Sequence, residues 1–364
     1  MESRETLLVI TYNGKDISTD IQPYIQSFSY HDNSKLEIDD IDLSLENIDK
    51  RWFGEEWFPD DGDTITASIV KRRWDDELIE ETLPCGKFYV DQIDFSPGSI
   101  SIKALAIPSA GNLTKQENSK GWEKISLKNI AMDICNKHSI KLEFYSEKDE
   151  SFDRMDQDKE TDLAFLTRIC TDQGLNLKAT ENKIVIFDKE EFYEKEVVIS
   201  VSSLDTDMII DYKFSHTTKE IYDKVEVSYY DPEKKQLVRE AYTKEELEDK
   251  RSAEKKEEKK KEESKASQRG QSKNQKNNKS SSSGLTKKIK GTGGKKKAQA
   301  VMDEKNKEKE TASMTLRGNF NLLAGQNVEL TDFGIFSGKY AIEKSSHSLS
   351  GAYTTDIELK RIKE

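Results

Sequence analysis

The chain has 364 residues, 34% hydrophobic and 35% charged, with a formal net charge of −12. That length points to two or three domains, and so polar a balance leaves part of the chain outside any packed core. No apolar run approaches the ~18 residues of a membrane span, and Leu7-Leu8-Val9-Ile10 is too short for a secretion signal, so neither is expected.

The average charge hides two opposed parts. Residues 244–310 carry 22 basic and 13 acidic side chains, whereas the rest carries 36 and 57. The body is therefore acidic, which argues against a general nucleic-acid-binding surface, because phosphate recognition needs concentrated Lys and Arg.

Residues 1–107 read as strands almost throughout. Asn13-Gly14 separates Leu7–Tyr12 from Ile17 and predicts a tight hairpin turn. Leu36, Ile38, Ile41, Leu43 and Leu45 alternate with one shift at Asp39-Asp40, read as a bulge. Ile65, Ala67 and Ile69 follow Asp61-Gly62, then Phe88, Val90 and Ile93, then Ile100, Ile102 and Ala104 after Pro97-Gly98. Short strands with turn residues between them predict an antiparallel barrel or sandwich.

Residues 108–190 read as α+β. Ser126 is the expected N-cap of a helix carrying Leu127, Ile130, Ala131, Ile134 and Cys135 on one face. A second helix opens at Thr161-Asp162, carries Leu163, Leu166, Ile169 and Cys170, and ends at Gly174. Leu175–Ala179 and Lys183–Phe187 predict a hairpin across Glu181-Asn182.

Strands return at Val197–Val201, Met208–Ser215 and Tyr222–Tyr230, and again over Ala312–Ile362. Between them, Glu248 to Gly284 holds no Val, Ile, Leu, Met or aromatic residue. Such a stretch buries too little apolar area to offset ~1–2 kcal/mol of ordering entropy per residue. Residues 244–311 are thus expected to be a charged insertion. Lys250–Glu263 is compatible with a solvated helix, Lys265–Ser283 with a disordered loop, and Lys295–Glu310 with a returning helix. The expected second strand domain is 191–243 joined to 312–364.

Candidate chemistry is sparse. Gly291-Thr292-Gly293-Gly294-Lys295 fails the phosphate-loop spacing, with Lys296 where a hydroxyl would hold Mg²⁺. Lys265–Lys297 holds eleven Lys/Arg and no acid, but no aromatic residue for base stacking; it reads as a solvated loop or an electrostatic tether to an acidic partner. His31, His138, His216 and His347 lack zinc-type spacing, and His138 reads as a structural residue at a helix end. Cys85, Cys135 and Cys170 read as free buried thiols. Trp52, Phe53, Trp57 and Phe58 read as core packing or a subunit interface rather than a sugar platform, and Asp60-Asp61-Gly62-Asp63 falls short of a calcium loop. No catalytic, cofactor-binding or metal-binding residue is assigned.

Several segments together resemble the phage late-control D family, the baseplate hubs of contractile tails, kin to the VgrG spike hubs of type VI secretion. They are Gly318-Asn319-Phe320, Leu323–Leu330, Gly338–Glu343 and His347–Thr355, with Thr161–Cys170, Gly174-Leu175, Lys183–Phe187, Cys85–Asp91 and Asp205–Asp231. The likeness spans nearly the whole chain outside 243–311, and Ala352 stands where the family more often has a second Gly. The resemblance implies a mainly β, α+β protein: two tube-like antiparallel β-barrel domains flanking a small α+β domain. It implies a non-enzymatic homotrimer that adapts a hexameric tail tube above to a trimeric central spike below, contacting tape-measure and baseplate wedge proteins. Such a part is assembled in the bacterial cytoplasm and carried in a phage or a phage-tail-like bacteriocin. Acidic side chains turned to its lumen would let DNA or an ejected rod pass by like-charge repulsion. A tail-associated peptidoglycan hydrolase and a surface adhesin built on Trp52–Phe58 are the competing readings.

Overall fold

Alternation becomes a ladder wherever one strand face can be buried. The computed structural model describes residues 4–34, 38–54, 58, 60, 62–74, 80–106, 112–147, 149–180, 183–188, 193–217, 222–231, 235–243, 246, 285–290, 298–299, 301–302 and 310–362. The chain divides into two compact units, one formed by Met1–Thr171, Leu175–Ser215 and Glu310–Glu364, the other by Asp172–Gly174 and His216–Lys309.

The first unit opens with β1 (Glu5–Tyr12), β2 (Lys15–Asp16), the helical turn α1 (Ser18–Ile21), β3 (Ile25–Asn33), β4 (Asp40–Glu46), β5 (Thr64–Arg72), β6 (Glu80–Ser96) and β7 (Ser99–Leu105). Asn13 and Gly14 adopt φ of 47° and 82°, the left-handed pair that closes β1 onto β2. Leu8, Ile10, Phe28, Ile41, Ile69 and Phe88 turn inward to one core. The shift at Asp39-Asp40 is not a bulge: β4 begins at Asp40, and Asp39 precedes it with its carboxylate turned inward.

The α+β part comprises α2 (Asn112–Lys115), β8 (Glu117–Ser126), α3 (Leu127–Lys137), β9 (Lys141–Tyr145), β10 (Ser151–Thr161), α4 (Asp162–Asp172), β11 (Leu175–Ala179) and β12 (Lys183–Asp188). Ser126 Oγ accepts from the Asn129 amide at 3.4 Å, and Thr161 Oγ1 from that of Ala164 at 3.2 Å, so both helices begin where side-chain caps permit. The apolar faces of α3 and α4 share a core with Leu175, Ile184 and Ile186. β12 pairs antiparallel with β11 and parallel with β9.

Two further strands, β13 (Val197–Ser202) and β14 (Ile209–His216), precede the second unit. There β15 (Tyr222–Asp231) pairs antiparallel with β16 (Gln236–Thr243) and parallel with β17 (Leu285–Lys290). Val225, Val227, Tyr242, Ala298 and Met302 form a small core of their own. β17 and the helical residues 298–299 and 301–302 thus lie inside the stretch read as a charged insertion, while 251–284 fall outside the described residues.

The chain returns to the first unit with β18 (Glu310–Arg317), β19 (Asn327–Thr331), β20 (Gly338–Ser350) and β21 (Ala352–Arg361). Gly351 takes φ of 76° at the β20–β21 turn, so one glycine suffices and Ala352 simply starts β21. These strands, with β13 and β14, enclose a third core that includes Val201, Met314, Leu330, Tyr340 and Ile357.

β20 pairs with β3 as well as with β21, and this fuses the first and third cores into one 13-stranded sheet. Its path runs β14-β18-β21-β20-β3-β4-β7-β6-β5-β1-β2, with β19 and β13 branching from β20. Six strands, β3-β4-β7-β6-β5-β1, wrap the first core and six, β14-β18-β21-β20-β19-β13, the third. Among the described residues no ring of ladders closes. Among those residues each expected barrel is thus a sheet of six strands packed around its own core.

Candidate assembly face and its buried joint

The face of the sheet turned away from the two cores is polar across its centre. Alternation puts Ser313 and Thr315 of β18, Asp356 and Glu358 of β21, Lys344, Ser346 and Ser348 of β20, Ser29 and His31 of β3, Asp40 and Asp42 of β4, and Ser101 and Lys103 of β7 side by side. Cross-strand contacts tie the rows together: Ser29 Oγ lies 3.1 Å from Ser348 Oγ, and Thr315 Oγ1 donates to Asp356. A cavity of about 300 Å³ opens on this face, lined in part by His31, Asp211, Lys344, Asp356 and Glu358. Carboxylates outnumber cations here, but Lys103 and Lys344 sit among them. The face is a small-residue hydrophilic surface with mixed charge, less uniformly acidic than the composition suggested.

Behind that face lies a buried charged joint. Asp32 occupies an inward position of β3 where Phe28 and Tyr30 set an apolar pattern. Its Oδ1 accepts from Lys178 Nζ of β11 at 2.5 Å, and its Oδ2 from the Ala324 amide at 2.9 Å. Lys178 Nζ also reaches Asp39 Oδ2 at 3.1 Å, and Asp39 Oδ1 accepts from the Asn33 amide at 2.9 Å. Burial pushes the Asp39 carboxyl up to about 6 despite Lys178. Burial works against the Lys178 charge, yet Asp32 and Asp39 hold the ammonium above its ordinary value. One lysine from the α+β part thus clamps two carboxylates at the seam beside β20.

His347 seals the other side of the seam. It is fully buried, with Nδ1 2.6 Å from Tyr353 Oη and Nε2 3.2 Å from both Ser345 Oγ and the Leu322 carbonyl. Burial pushes its imidazole down to about 4 and raises the Tyr353 phenol. Gly318 sits against the Tyr353 ring: a Cβ there would meet Cδ1 at 1.9 Å. The Gly318-Asn319-Phe320 and His347–Tyr353 segments are therefore two halves of one packed contact.

Other residues singled out by sequence take structural places. Trp52 is buried, its Nε1 donating to the Glu46 carbonyl at 2.9 Å, so it cannot offer a face to a sugar. Phe53 and Phe58 are exposed and stack on Phe95 at 4.7 and 6.1 Å, while Trp57 lies outside the described residues. His138 caps α3 and contacts Asp162 Oδ2 at 2.7 Å. Burial works against the Asp162 charge, but hydrogen bonds from Lys137, Gln157 and His138 hold its carboxyl below the usual range. Asp63 accepts from Tyr12, from Asn13 Nδ2 at 2.7 Å and from the Asp60 amide at 2.7 Å, a turn lock in place of a calcium loop; Asp61 is not among the described residues. The three cysteines are buried and free, and burial raises each thiol. Gly291–Lys297 and Lys265–Ser283 lie outside the described residues. No described helix is long and apolar enough to cross a membrane.

The joint was not foreseen, because Lys178 meets Asp32 across 146 positions and Ala324 meets it across 292. The one local signal was a carboxylate at an inward strand position.

Two six-stranded halves joined edge to edge, with a hydrophilic face across the junction and an α+β part beside them, define the class: a mainly β chain built from paired sheet halves. The comparisons give the family. The phage tail baseplate hub (GPD) family matches residues 96–352, and the chain belongs to that family. It is similar to the probable baseplate hub protein of Escherichia phage 186, at 23% identity over 180 residues, 49% of this chain and 43% of that protein. The chain thus spans less than half the length of that curated relative. Its fold matches the 43 kDa tail protein of prophage MuSo2 from Shewanella oneidensis at TM-score 0.62 and 14% identity, over 98% of this chain and 97% of that one. It also matches a tail protein of Neisseria meningitidis MC58 at TM-score 0.64 and 14% identity, over 98% and 96%.

Proposed function

We propose that this chain is the hub subunit of a contractile-tail baseplate and works as a homotrimer. The observation that carries the reading is the β20–β3 ladder, which sets two six-stranded halves edge to edge in one polypeptide. Three such chains around an axis present six sheet-built halves, the symmetry of a tail-tube ring, while keeping the three-fold symmetry of a central spike. The two halves, built on the first and third cores, act as the tube-like domains, and the α+β part braces them through Lys178. The hydrophilic face lines the passage, where Ser, Thr and mixed charges give a sliding rod or DNA few apolar or purely cationic footholds. The function is structural, without turnover; the tail-tube protein lies above, the spike below, and tape-measure and wedge proteins around it. Subunits are assembled in the cytoplasm and carried in the particle.

Placing a short epitope tag after Ile362 and labelling purified particles tests this by electron microscopy. The label is expected at the centre of the baseplate, three copies per hub. Label along the sheath or at fibre tips contradicts the proposal.

A further inference from the structure

Sequence spacing offers no metal site, but the β3–β4 ladder gathers three candidate ligands. His31 lies directly opposite Asp40, and Asp42 is the next residue on the same face of β4. His31 Nε2 stands 3.5 Å from Asp42 Oδ2 and 3.9 Å from Asp40 Oδ1, and one ligand atom from each of the three residues falls within 4.8 Å of the others. The other ring nitrogen, Nδ1, lies 2.8 Å from Ser346 Oγ of β20, the outer hydrogen bond that orients metal-ligating imidazoles. Asp40 Oδ1 is buried and has no hydrogen-bond partner among the described residues. His31 at 3.9 Å and the charges of Lys103 and Lys344 offset its burial without supplying a hydrogen bond.

Donors roughly 2.0–2.2 Å from a metal stand about 3.0–3.4 Å from one another in octahedral or tetrahedral sets. Reaching that range from the observed 3.5 and 3.9 Å takes about 0.1–0.5 and about 0.5–0.9 Å of side-chain closure. The Asp42 side chain is 45% exposed, so water can reach the remaining positions. One imidazole with two carboxylates suits a borderline first-row ion better than Mg²⁺ or Ca²⁺, which prefer all-oxygen sets.

We propose that His31, Asp40 and Asp42 bind a divalent first-row transition-metal ion, which cross-links β3 to β4 beside the seam between the two halves. Lys103 of β7 and Lys344 of β20, which stabilise the Asp40 charge, border the group and compete with the ion. The site stands independently of the hub assignment, since it needs only the β3–β4 ladder.

The test uses the full chain, stripped with chelator and titrated with Co²⁺ under d–d absorption. The expected result is one Co²⁺ per chain, displaced by Zn²⁺. Affinity should fall on the order of 100-fold in both His31→Ala and Asp42→Asn, and ~10-fold in Ser346→Ala, which loses only the orienting contact. The Asp42 side chain is 45% exposed, so Asp42→Asn keeps the test valid should His31→Ala fail to fold. Absence of a d–d band at stoichiometric Co²⁺, or binding unchanged in Asp42→Asn, overturns the proposal.

Discussion

Replacing Lys178 with Met keeps the aliphatic stem and removes the cation from the joint. Asp32 and Asp39 are then left facing each other with side-chain exposures of only 6% and 9%. Breaking a buried pair by deleting one partner costs about 3–5 kcal/mol. The proton sets a ceiling on the Asp39 share: its carboxyl already sits at about 6 in the native chain, so neutralising it at pH 7.5 costs about 2 kcal/mol. That escape becomes easier as pH falls, by about 1.4 kcal/mol per unit. Urea unfolding followed by circular dichroism should therefore show a loss of about 3–5 kcal/mol at pH 7.5 and about 1–3 kcal/mol at pH 5.5, where Asp39 is already mostly protonated in the native chain. Adding Asp39→Asn to Lys178→Met should restore part of the loss at pH 7.5. A loss under about 1 kcal/mol, or the same loss at both pH values, would refute the reasoning, because the trio would not then be a buried charge cluster.

Other predictions follow from neighbouring contacts. Gly318→Ala drives a methyl into the Tyr353 ring and should cost about 1–3 kcal/mol, read as a lower thermal midpoint, with Tyr353→Leu relieving part of it. The folded His347 value lies below 6.5, so its contribution is present above that pH and lost as pH falls toward about 4. Asp39 has the opposite sign, with stability present below 3.8 and lost as pH rises through about 6. Asp39→Asn should therefore steepen the rise of stability between pH 4 and 6.5 relative to the native chain, and an unchanged slope would contradict the assignment. Cys85, Cys135 and Cys170 should resist iodoacetamide at pH 7.5 in the native chain and react once it is unfolded in urea, counted by mass spectrometry.

Local rules were enough for the elements. Asn13-Gly14 forms its turn, Ser126 and Thr161 cap their helices, and the apolar faces of α3 and α4 are the buried ones. What could not be read was how distant strands meet. Nothing near Ser346 indicates that β20 pairs with β3, 315 positions away, yet that ladder fuses the two halves and orients His31. The strand register likewise decides that His31 faces Asp40 and Asp42. His31 stands 9 positions before Asp40 and 11 before Asp42, and only the antiparallel ladder sets the three on one face. Trp52 and Phe53, adjacent in sequence, separate into core and surface because the helical turn at Arg51–Phe53 aims successive side chains in different directions.

The central claim is trimeric assembly of a chain that supplies two tube-like halves. The solution mass of the purified full chain, by light scattering or mass photometry, tests it most directly. Three copies of 41.7 kDa in one particle, with six lobes in class averages viewed down the axis, is the predicted result. A stable monomer or dimer that does not become three-fold on adding its spike partner would contradict it.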